Sequence, residues 1–329
     1  MRRLTYAEID EARHSRGKTA LLFLTDRCPV GCAHCSVDSR PDSPRIRDFR
    51  LFEQVVEGLC ASSYGLIGIS GGEPFIERRG LSHATERLRD AGKDVSIVTS
   101  GVWATSADPP EWIKKVIRRC GCLILSTDVF HAAALPDQRF IQAARAIAGQ
   151  DVWIVTQVVD DEKAGALATG LLERALGKEW ADHAEILRVP LLPYGRAADL
   201  FQPIATTPGR RFGACHLVRS PVIRYDGSTS ACCNEAVILG RGPSALRRQC
   251  DDADELITAF AEFDRHALLR AVGDVGPGVL TLDPRLHDLA DRRFKSICDL
   301  CWEMVDRLGD RADDPLIHSV ANLRTGALG

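Results

Sequence analysis

The chain is organised around one stretch near its N-terminus, Leu21-Leu22-Phe23-Leu24-Thr25-Asp26-Arg27-Cys28-Pro29-Val30-Gly31-Cys32-Ala33-His34-Cys35. The stretch begins as an apolar run, which predicts a buried strand. Pro29 and Gly31 then break regular structure, so the three cysteines fall in a loop. Three thiols within eight residues predict a metal site at the end of that strand.

The cysteine spacing favours an iron–sulfur cluster over zinc. A structural zinc site needs four ligands, which usually come as two separated pairs. Cys28, Cys32 and Cys35 supply three ligands with no fourth nearby. A four-iron cluster held by three cysteines keeps one iron open, where a small molecule with an amino and a carboxylate group can bind. A zinc knuckle and a redox-sensing thiol group are the alternative interpretations.

The Cys-x3-Cys-x2-Cys spacing, with His34 before the third cysteine, resembles the signature of the radical S-adenosylmethionine superfamily. The resemblance implies that Cys28, Cys32 and Cys35 bind a 4Fe-4S cluster and that His34 lies at the S-adenosylmethionine site. It also implies reductive cleavage of that cofactor to a 5'-deoxyadenosyl radical, which removes hydrogen from an unactivated C–H bond. Such chemistry needs no protein nucleophile or acid–base pair, and the sequence singles out no catalytic side chain.

Composition bounds the class of protein. A chain of 329 residues with 45% hydrophobic content can form one large domain and a smaller one. A net charge of -3 and a pI near 6.3 argue against nucleic acid as a partner. The charged segment 1–18 and the lack of a long apolar run argue against export or a membrane span and predict a cytoplasmic protein. Twelve cysteines then indicate metal binding rather than disulfides.

Short apolar runs and helical patterns alternate from Leu21 to Val189. They predict six strands separated by helices that bury both sheet faces, and hence an α/β fold with a parallel sheet. The resemblance implies an open, partial (β/α)6 barrel. The predicted strands are 21–24, 66–69, 95–99, 123–128, 152–158 and 185–189. The predicted helices are 51–60, 76–91, 111–119, 137–148 and 162–176.

Gly71, Gly72 and Glu73 follow the second predicted strand. Paired glycines allow backbone to approach a ligand closely. Their position after the cysteine loop resembles the superfamily's second signature, which implies that Gly71 and Gly72 bind the methionyl amino group. Glu73 would be an anion near that ammonium; otherwise it is an ordinary loop carboxylate.

Ligands gather at the carboxyl ends of parallel strands, where several polar residues of this chain are placed. The resemblance implies that Ser126 and Asp128 contact the ribose or carboxylate of the cofactor, and that Gln157 or Arg188 faces the same cavity. Capping a helix or bonding to backbone is the alternative for each of them. The third strand ends in Thr99-Ser100-Gly101, where many relatives have Thr-Asn-Gly.

A C-terminal extension is expected after residue 200. Tyr194-Gly195-Arg196-Ala197 resembles the Pro-x-Gly-Arg-Ala passage that precedes auxiliary-cluster domains, and 198–211 reads as a linker. The predicted domains are therefore 1–200, the radical domain, and 201–329, an auxiliary α+β domain with a hairpin at Asp226-Gly227 and helices.

The extension carries a second set of cysteines. Its spacing resembles the Cys-x(9-15)-Gly-x4-Cys pattern of SPASM and twitch domains, which implies a second 4Fe-4S cluster on Cys215, Cys232, Cys298 and Cys301. No cysteine follows Cys301, so a one-cluster twitch arrangement is preferred; zinc on the same ligands is the alternative. Cys233 could replace Cys232. The other cysteines read as small buried hydrophobes: Cys60, Cys120, Cys122 and Cys250.

The resemblance also bears on the substrate. Most relatives with this extension modify ribosomally made peptides, which implies oxidative modification of a precursor peptide, a crosslink or a dehydrogenation, with the auxiliary cluster taking an electron. Only 27 residues precede Cys28, so we expect either a separate leader-recognition protein or a short leader groove in this chain. An external flavodoxin or ferredoxin would supply electrons. A small-molecule dehydrogenase, acting on an aminocyclitol or sugar, is the alternative, and a non-catalytic electron carrier is disfavoured by Gly71-Gly72-Glu73.

Overall fold

The structure is a computed structural model that describes residues 2–200, 206–309 and 314–322. Within these ranges, no helix combines the length and the apolar character needed to cross a membrane.

Alternating strands and helices build residues 6–189. The strands are β1 (Thr19–Phe23), β2 (Leu66–Ser70), β3 (Asp94–Thr99), β4 (Cys122–Ser126), β5 (Trp153–Val159) and β6 (Ala184–Val189). The helices are α1 (Tyr6–His14), α2 (Phe49–Ala61), α3 (Arg78–Asp90), α4 (Glu111–Arg118), α5 (Val129–Ala134), α6 (Asp137–Ala148) and α7 (Glu162–Leu176). All six strands pair in parallel and in chain order, which confirms the predicted α/β fold.

The rest of the chain adds short strands and helices. The strands are β7 (Thr207–Pro208), β8 (Val222–Arg224), β9 (Ser228–Ser230), β10 (Arg247–Gln249) and β11 (Arg293–Phe294). The helices are α8 (Glu235–Ile238), α9 (Ala253–Arg265), α10 (Ala267–Asp274), α11 (Pro277–Leu280), α12 (Ile297–Leu308) and α13 (Pro315–Asn322). β8 and β9 form the hairpin that Asp226-Gly227 predicts.

The hairpin joins the main sheet, because β8 pairs in parallel with β1. One sheet therefore runs in the order β10-β9-β8-β1-β2-β3-β4-β5-β6 and crosses the predicted domain boundary. Part of the predicted linker 198–211 is a strand, since β7 pairs with β11. Residues 201–205 of that linker lie outside the described residues.

The two faces of the sheet have different environments, which corrects the expectation that helices bury both. Alternate strand residues such as Ile67, Ile97 and Leu123 pack in the core with α2, α3, α4, α6 and α7. Their neighbours, including Gly68, Ser96 and Ile124, line a cavity of ≈ 530 Å³. Because strand side chains alternate between faces, the outer positions meet the helices and the inner positions surround a ligand-sized space.

The N-terminal helix α1 was not predicted and forms part of the cavity wall. Thr5 and Glu8 form a capping box at its start. Ile9 and Leu4 pack with Ile124 on the inner face of the sheet. The helix has a single fully buried residue, so its sequence lacks a strong apolar stripe.

Candidate active site

The three cysteines of the first motif lie in the loop after β1 and line the cavity together as free thiols. A hydrogen bond from Cys32 lowers the pKa of Cys35 to about 6. The amide of Ser39 also donates to the Cys35 sulfur, at 3.4 Å. Burial raises the pKa of Cys28 to about 11. The loop thus places three thiol ligands at the wall of one cavity.

Gly71 and Gly72 pack directly against the cysteine loop. The amide of Gly72 donates to the Thr25 carbonyl at 2.6 Å, and that of Glu73 donates to the Arg27 carbonyl at 2.8 Å. A Cβ on Gly72 would lie 2.1 Å from the Arg27 oxygen. These glycines also line the cavity, so they contact the backbone of the cysteine loop and are placed to contact a ligand in the cavity.

Glu73 is fully buried and does not line the cavity. Its carboxylate accepts hydrogen bonds from the Thr99 hydroxyl at 2.8 Å, and from the Ser100 amide and hydroxyl at 2.9 and 2.5 Å. Burial raises its pKa, although these hydrogen bonds oppose the rise. Glu73 thus fixes the end of β3, while Ser100 itself lines the cavity. Contact between Glu73 and an ammonium stays a prediction.

Asp128 joins two histidines at the cavity wall. Its Oδ1 caps α5 by accepting the amides of Phe130 and His131, both at 2.9 Å. Its Oδ2 lies 3.3 Å from His34 Nε2, and Oδ1 lies 3.1 Å from His131 Nδ1. The His34 ring stacks on Phe130 at 4.7 Å. His131 was missed from the sequence; its signal is a histidine three positions after an N-cap aspartate.

The remaining predicted strand-end residues separate into two groups. Ser126 and Gln157 pair across β4 and β5, and both line the cavity. Arg188 does not line it; its guanidinium packs against Gly165 of α7 on the outer side of the sheet. The physical reason is strand alternation, since its neighbours Leu187 and Val189 face the cavity.

Arg196, quoted only as part of a motif, holds the cysteine loop. Its side chain donates to the Cys32 carbonyl, to the Ser39 carbonyl at 2.9 Å and to Asp38 Oδ1 at 2.8 Å. Its amide donates to the Cys35 carbonyl at 3.0 Å. The loop is therefore fixed from both ends.

The second cysteine set converges on a small, separate cavity lined by Cys215, Cys232, Cys298 and Cys301. Burial is the largest cause of their raised pKa values, and that of Cys298 rises to about 12. The Asn234 side-chain amide donates to the Cys298 sulfur at 3.3 Å. Four thiols around one point are a donor set that fits a 4Fe-4S cluster or zinc.

Cys232 and Cys233 line different cavities. Cys232 lies in the small cavity with the other three cysteines, whereas Cys233 lines the large one. Burial raises the pKa of Cys233 to about 11. Of the other cysteines, Cys120 bonds to the Val116 carbonyl and Cys122 packs under α1. Neither of them lines the large cavity.

Some buried polar atoms in the wall of the large cavity have no hydrogen-bond partner among the described residues. His34 Nδ1 and Ser39 Oγ are among them. Three thiols, the Gly71-Gly72 strand end and these groups together fit a three-cysteine cluster with a polar cofactor beside it.

Comparison with known proteins agrees with this geometry. Residues 22–134 match the model of the Radical SAM superfamily. The putative peptide biosynthesis protein YydG of Bacillus subtilis (strain 168) is 23% identical over 186 residues, 55% of this chain and 56% of YydG. The chain thus spans about half the length of this curated relative.

Solved structures show the same fold. Streptococcus suis SuiB matches with a TM-score of 0.52 and 11% identity, over 78% of this chain and 71% of that one. Native anSMEcpe with bound AdoMet and Kp18Cys peptide matches with a TM-score of 0.51 and 15% identity, over 92% and 99%. The cysteine loop, the glycine strand end and the family match lead to one conclusion: residues 22–134 of this chain are similar to the Radical SAM superfamily.

Proposed function

We propose that this chain is a radical S-adenosylmethionine enzyme that modifies a peptide. One observation carries the proposal: the glycine strand end contacts the cysteine loop. The amides of Gly72 and Glu73 donate to the backbone of that loop, and both Gly72 and the three cysteines line one cavity. When bound, the cluster and S-adenosylmethionine supply a radical that removes hydrogen from an unactivated C–H bond.

Each residue has a stated part in that site. Cys28, Cys32 and Cys35 would hold the first 4Fe-4S cluster. The cofactor-facing groups are His34, Gly71, Gly72, Ser126, Asp128 and Gln157. Glu73 acts as a positioning residue through Ser100. Apolar inner-face residues such as Ile124 exclude water, which would otherwise quench a radical.

Cys215, Cys232, Cys298 and Cys301 would hold a second 4Fe-4S cluster in a twitch-type domain from residue 201 onward. Four thiols leave no open ligand position, which favours electron transfer over binding of substrate. Zinc on the same ligands is the competing occupant.

Two comparisons support a peptide substrate: YydG is named for peptide biosynthesis, and the anSMEcpe structure contains a peptide. We propose a ribosomally made precursor peptide, an external flavodoxin or ferredoxin, a separate leader-recognition protein and a cytoplasmic setting. If the second cluster accepts an electron, the product is oxidised, as a crosslink or dehydrogenation. An aminocyclitol or sugar substrate is the alternative.

Iron content and cofactor cleavage test the proposal. Anaerobically reconstituted protein should bind about eight irons and convert S-adenosylmethionine to 5'-deoxyadenosine with dithionite. Cys32→Ala and Cys298→Ala should each halve the iron, while only Cys32→Ala must abolish cleavage. Cys60→Ala, remote from both cavities, is the matched control. Stoichiometric zinc with no 5'-deoxyadenosine would contradict the proposal.

The substrate class needs its own test. Synthetic peptides copying the short reading frames that flank the gene are incubated with the loaded enzyme and examined by mass spectrometry. Conversion of a peptide supports the proposal, whereas conversion of an aminocyclitol or sugar alone supports the alternative.

A further inference from the structure

The large cavity contains one cysteine that neither metal site uses. Residues 232–234 alternate in direction: Cys232 and Asn234 face the second cysteine set, and Cys233 between them faces the large cavity. The backbone there is fixed, because the Cys233 amide donates to the Leu217 carbonyl at 3.1 Å. Asn234 also caps α8 through the amides of Ala236 and Val237.

The side chain of Cys233 lies close to the first cysteine loop. Cys233 and Val37, which lies two residues after Cys35, both pack against the small cluster of Phe23, Val222 and Ile238. Ser39, two residues after Val37, is 2% exposed, lines the same cavity, and its hydroxyl has no hydrogen-bond partner among the described residues. An unpartnered buried hydroxyl in the wall of the cavity that Cys233 also lines indicates that a polar ligand enters this cavity.

Cys233 and two of the cofactor-facing residues, Ser126 and Gln157, lie on or just after strands that are well separated in the sheet order. Cys233 follows the hairpin of β8 and β9, which lies beyond β1. Ser126 and Gln157 lie on β4 and β5, with β2 and β3 between. A substrate carbon between them in the cavity would have Ser126 and Gln157 on one side and the Cys233 thiol on the other.

We propose that Cys233 is a catalytic residue that donates a hydrogen atom to the substrate radical. This inference rests on the proposed function and gives the radical a different fate from oxidation. The S–H bond of Cys233 breaks and a C–H bond forms on the substrate, because a thiol transfers its hydrogen atom readily to a carbon radical. The remaining sulfur radical regains its S–H bond with one electron from a low-potential protein donor, or dithionite, and one solvent proton.

The product of this hydrogen transfer has the same composition as the substrate, because the substrate loses one hydrogen atom and gains another. Return of hydrogen from the opposite side inverts the carbon, and a peptide residue would change from the L to the D configuration. In D2O the returned atom is deuterium, because a thiol exchanges with solvent and a C–H bond does not.

Labelling of the loaded protein tests the placement of Cys233 without turnover. The reconstituted full chain is treated anaerobically with iodoacetamide and digested for mass spectrometry. We expect Cys233 to be alkylated much faster than Cys120, which is buried among helices. Cys232 should stay unlabelled as a cluster ligand. Labelling of Cys233 no faster than Cys120 would overturn the proposal, as would a loss of half the iron in Cys233→Ala.

Turnover in D2O tests the chemistry with the synthetic flanking-frame peptides. After return to H2O, the wild-type product should retain one carbon-bound deuterium and contain one D residue. The measured ratio is moles of carbon-bound deuterium in the peptide per mole of 5'-deoxyadenosine. In Cys233→Ala and in the near-isosteric Cys233→Ser this ratio should be at least about tenfold lower than in the wild type. Loss of two hydrogens, or undiminished deuterium in Cys233→Ser, overturns the inference; absence of 5'-deoxyadenosine instead overturns the proposed function.

Discussion

Arg196 donates hydrogen bonds from Nε and Nη2 to the carbonyl oxygen of Cys32, at 3.1 and 2.8 Å. Tyr194, two residues earlier, lies close enough to Cys298 of the second cysteine set for that thiol to add to the effect of burial, which raises the pKa of the tyrosine to about 12. One segment thus contacts both cysteine sites. It connects the loop that would hold the first cluster with a ligand of the second.

Arg196→Ala should loosen the first cysteine loop. The substitution removes four side-chain hydrogen bonds and leaves the Cys32 and Ser39 carbonyls without those donors. We expect a loss of about 2–4 kcal/mol of unfolding free energy, measured by denaturant titration, and weaker iron binding at the first site. Arg87→Ala removes an exposed ion pair with Glu57 and should cost at most about 1 kcal/mol. Equal effects of the two variants would contradict the assignment.

Gly72→Ala should push the glycine strand end away from the cysteine loop. Its Cβ would meet the Arg27 carbonyl, a backbone atom that cannot move without shifting the cysteine loop. We expect about 3 kcal/mol of destabilisation or failure to retain iron. Gly170→Ala in α7 has open space at its Cβ and should stabilise by about 0.5–1 kcal/mol. Thermal denaturation and iron analysis measure both, and a neutral Gly72→Ala would refute the packing argument.

Ser100→Ala should weaken the anchor of Glu73. The variant deletes the hydroxyl that donates to the buried carboxylate at 2.5 Å and leaves the Ser100 amide in place. We expect a cost of about 1–3 kcal/mol in denaturant unfolding, because the acceptor stays buried. Ser106→Ala removes an exposed hydroxyl and should change stability by less than about 0.5 kcal/mol. A Ser100→Ala variant as stable as Ser106→Ala would show that Glu73 does not depend on this bond.

Stability should depend on pH through Asp264, which accepts a hydrogen bond from the buried Tyr64 hydroxyl at 2.9 Å. Burial raises the pKa of Asp264, so the folded protein keeps this proton at pH values where the unfolded chain has released it. This contribution is present below the unfolded pKa and is lost as pH rises through the folded pKa.

Asp264→Asn should therefore flatten the fall in unfolding free energy above about pH 4. Denaturant titrations between pH 4 and pH 7 measure the slope. Glu262→Gln, on an exposed position of the same helix, should leave the wild-type slope unchanged. An unaltered slope in Asp264→Asn would show that this carboxyl titrates alike in both states.

Local sequence was enough to predict the six parallel strands and most of the helices between them. Helices α6 and α7 have the predicted bounds, because apolar periodicity and the cap residue Asp161 are properties of adjacent residues. The short helix α1 was missed because its few apolar residues give no strong periodicity. Its position is set by contacts with distant strands instead.

Side-chain direction at the site could not be predicted in the same way. Arg188 is one residue from two cavity-lining neighbours, yet a strand places it on the opposite face. Glu73 follows the glycine pair but turns into the protein to meet β3. In both cases a shift of one residue along the chain decides whether a side chain faces the cavity or packs elsewhere in the protein.

The sequence by itself determined that three cysteines share one loop and that strands alternate with helices, since spacing and periodicity are local. Only the tertiary structure decided which surface each side chain faces. It separated Cys232 from Cys233 and brought Arg196 to Cys32. The physical reason is that these outcomes depend on how distant strands and loops pack, and nearest-neighbour chemistry does not encode that packing.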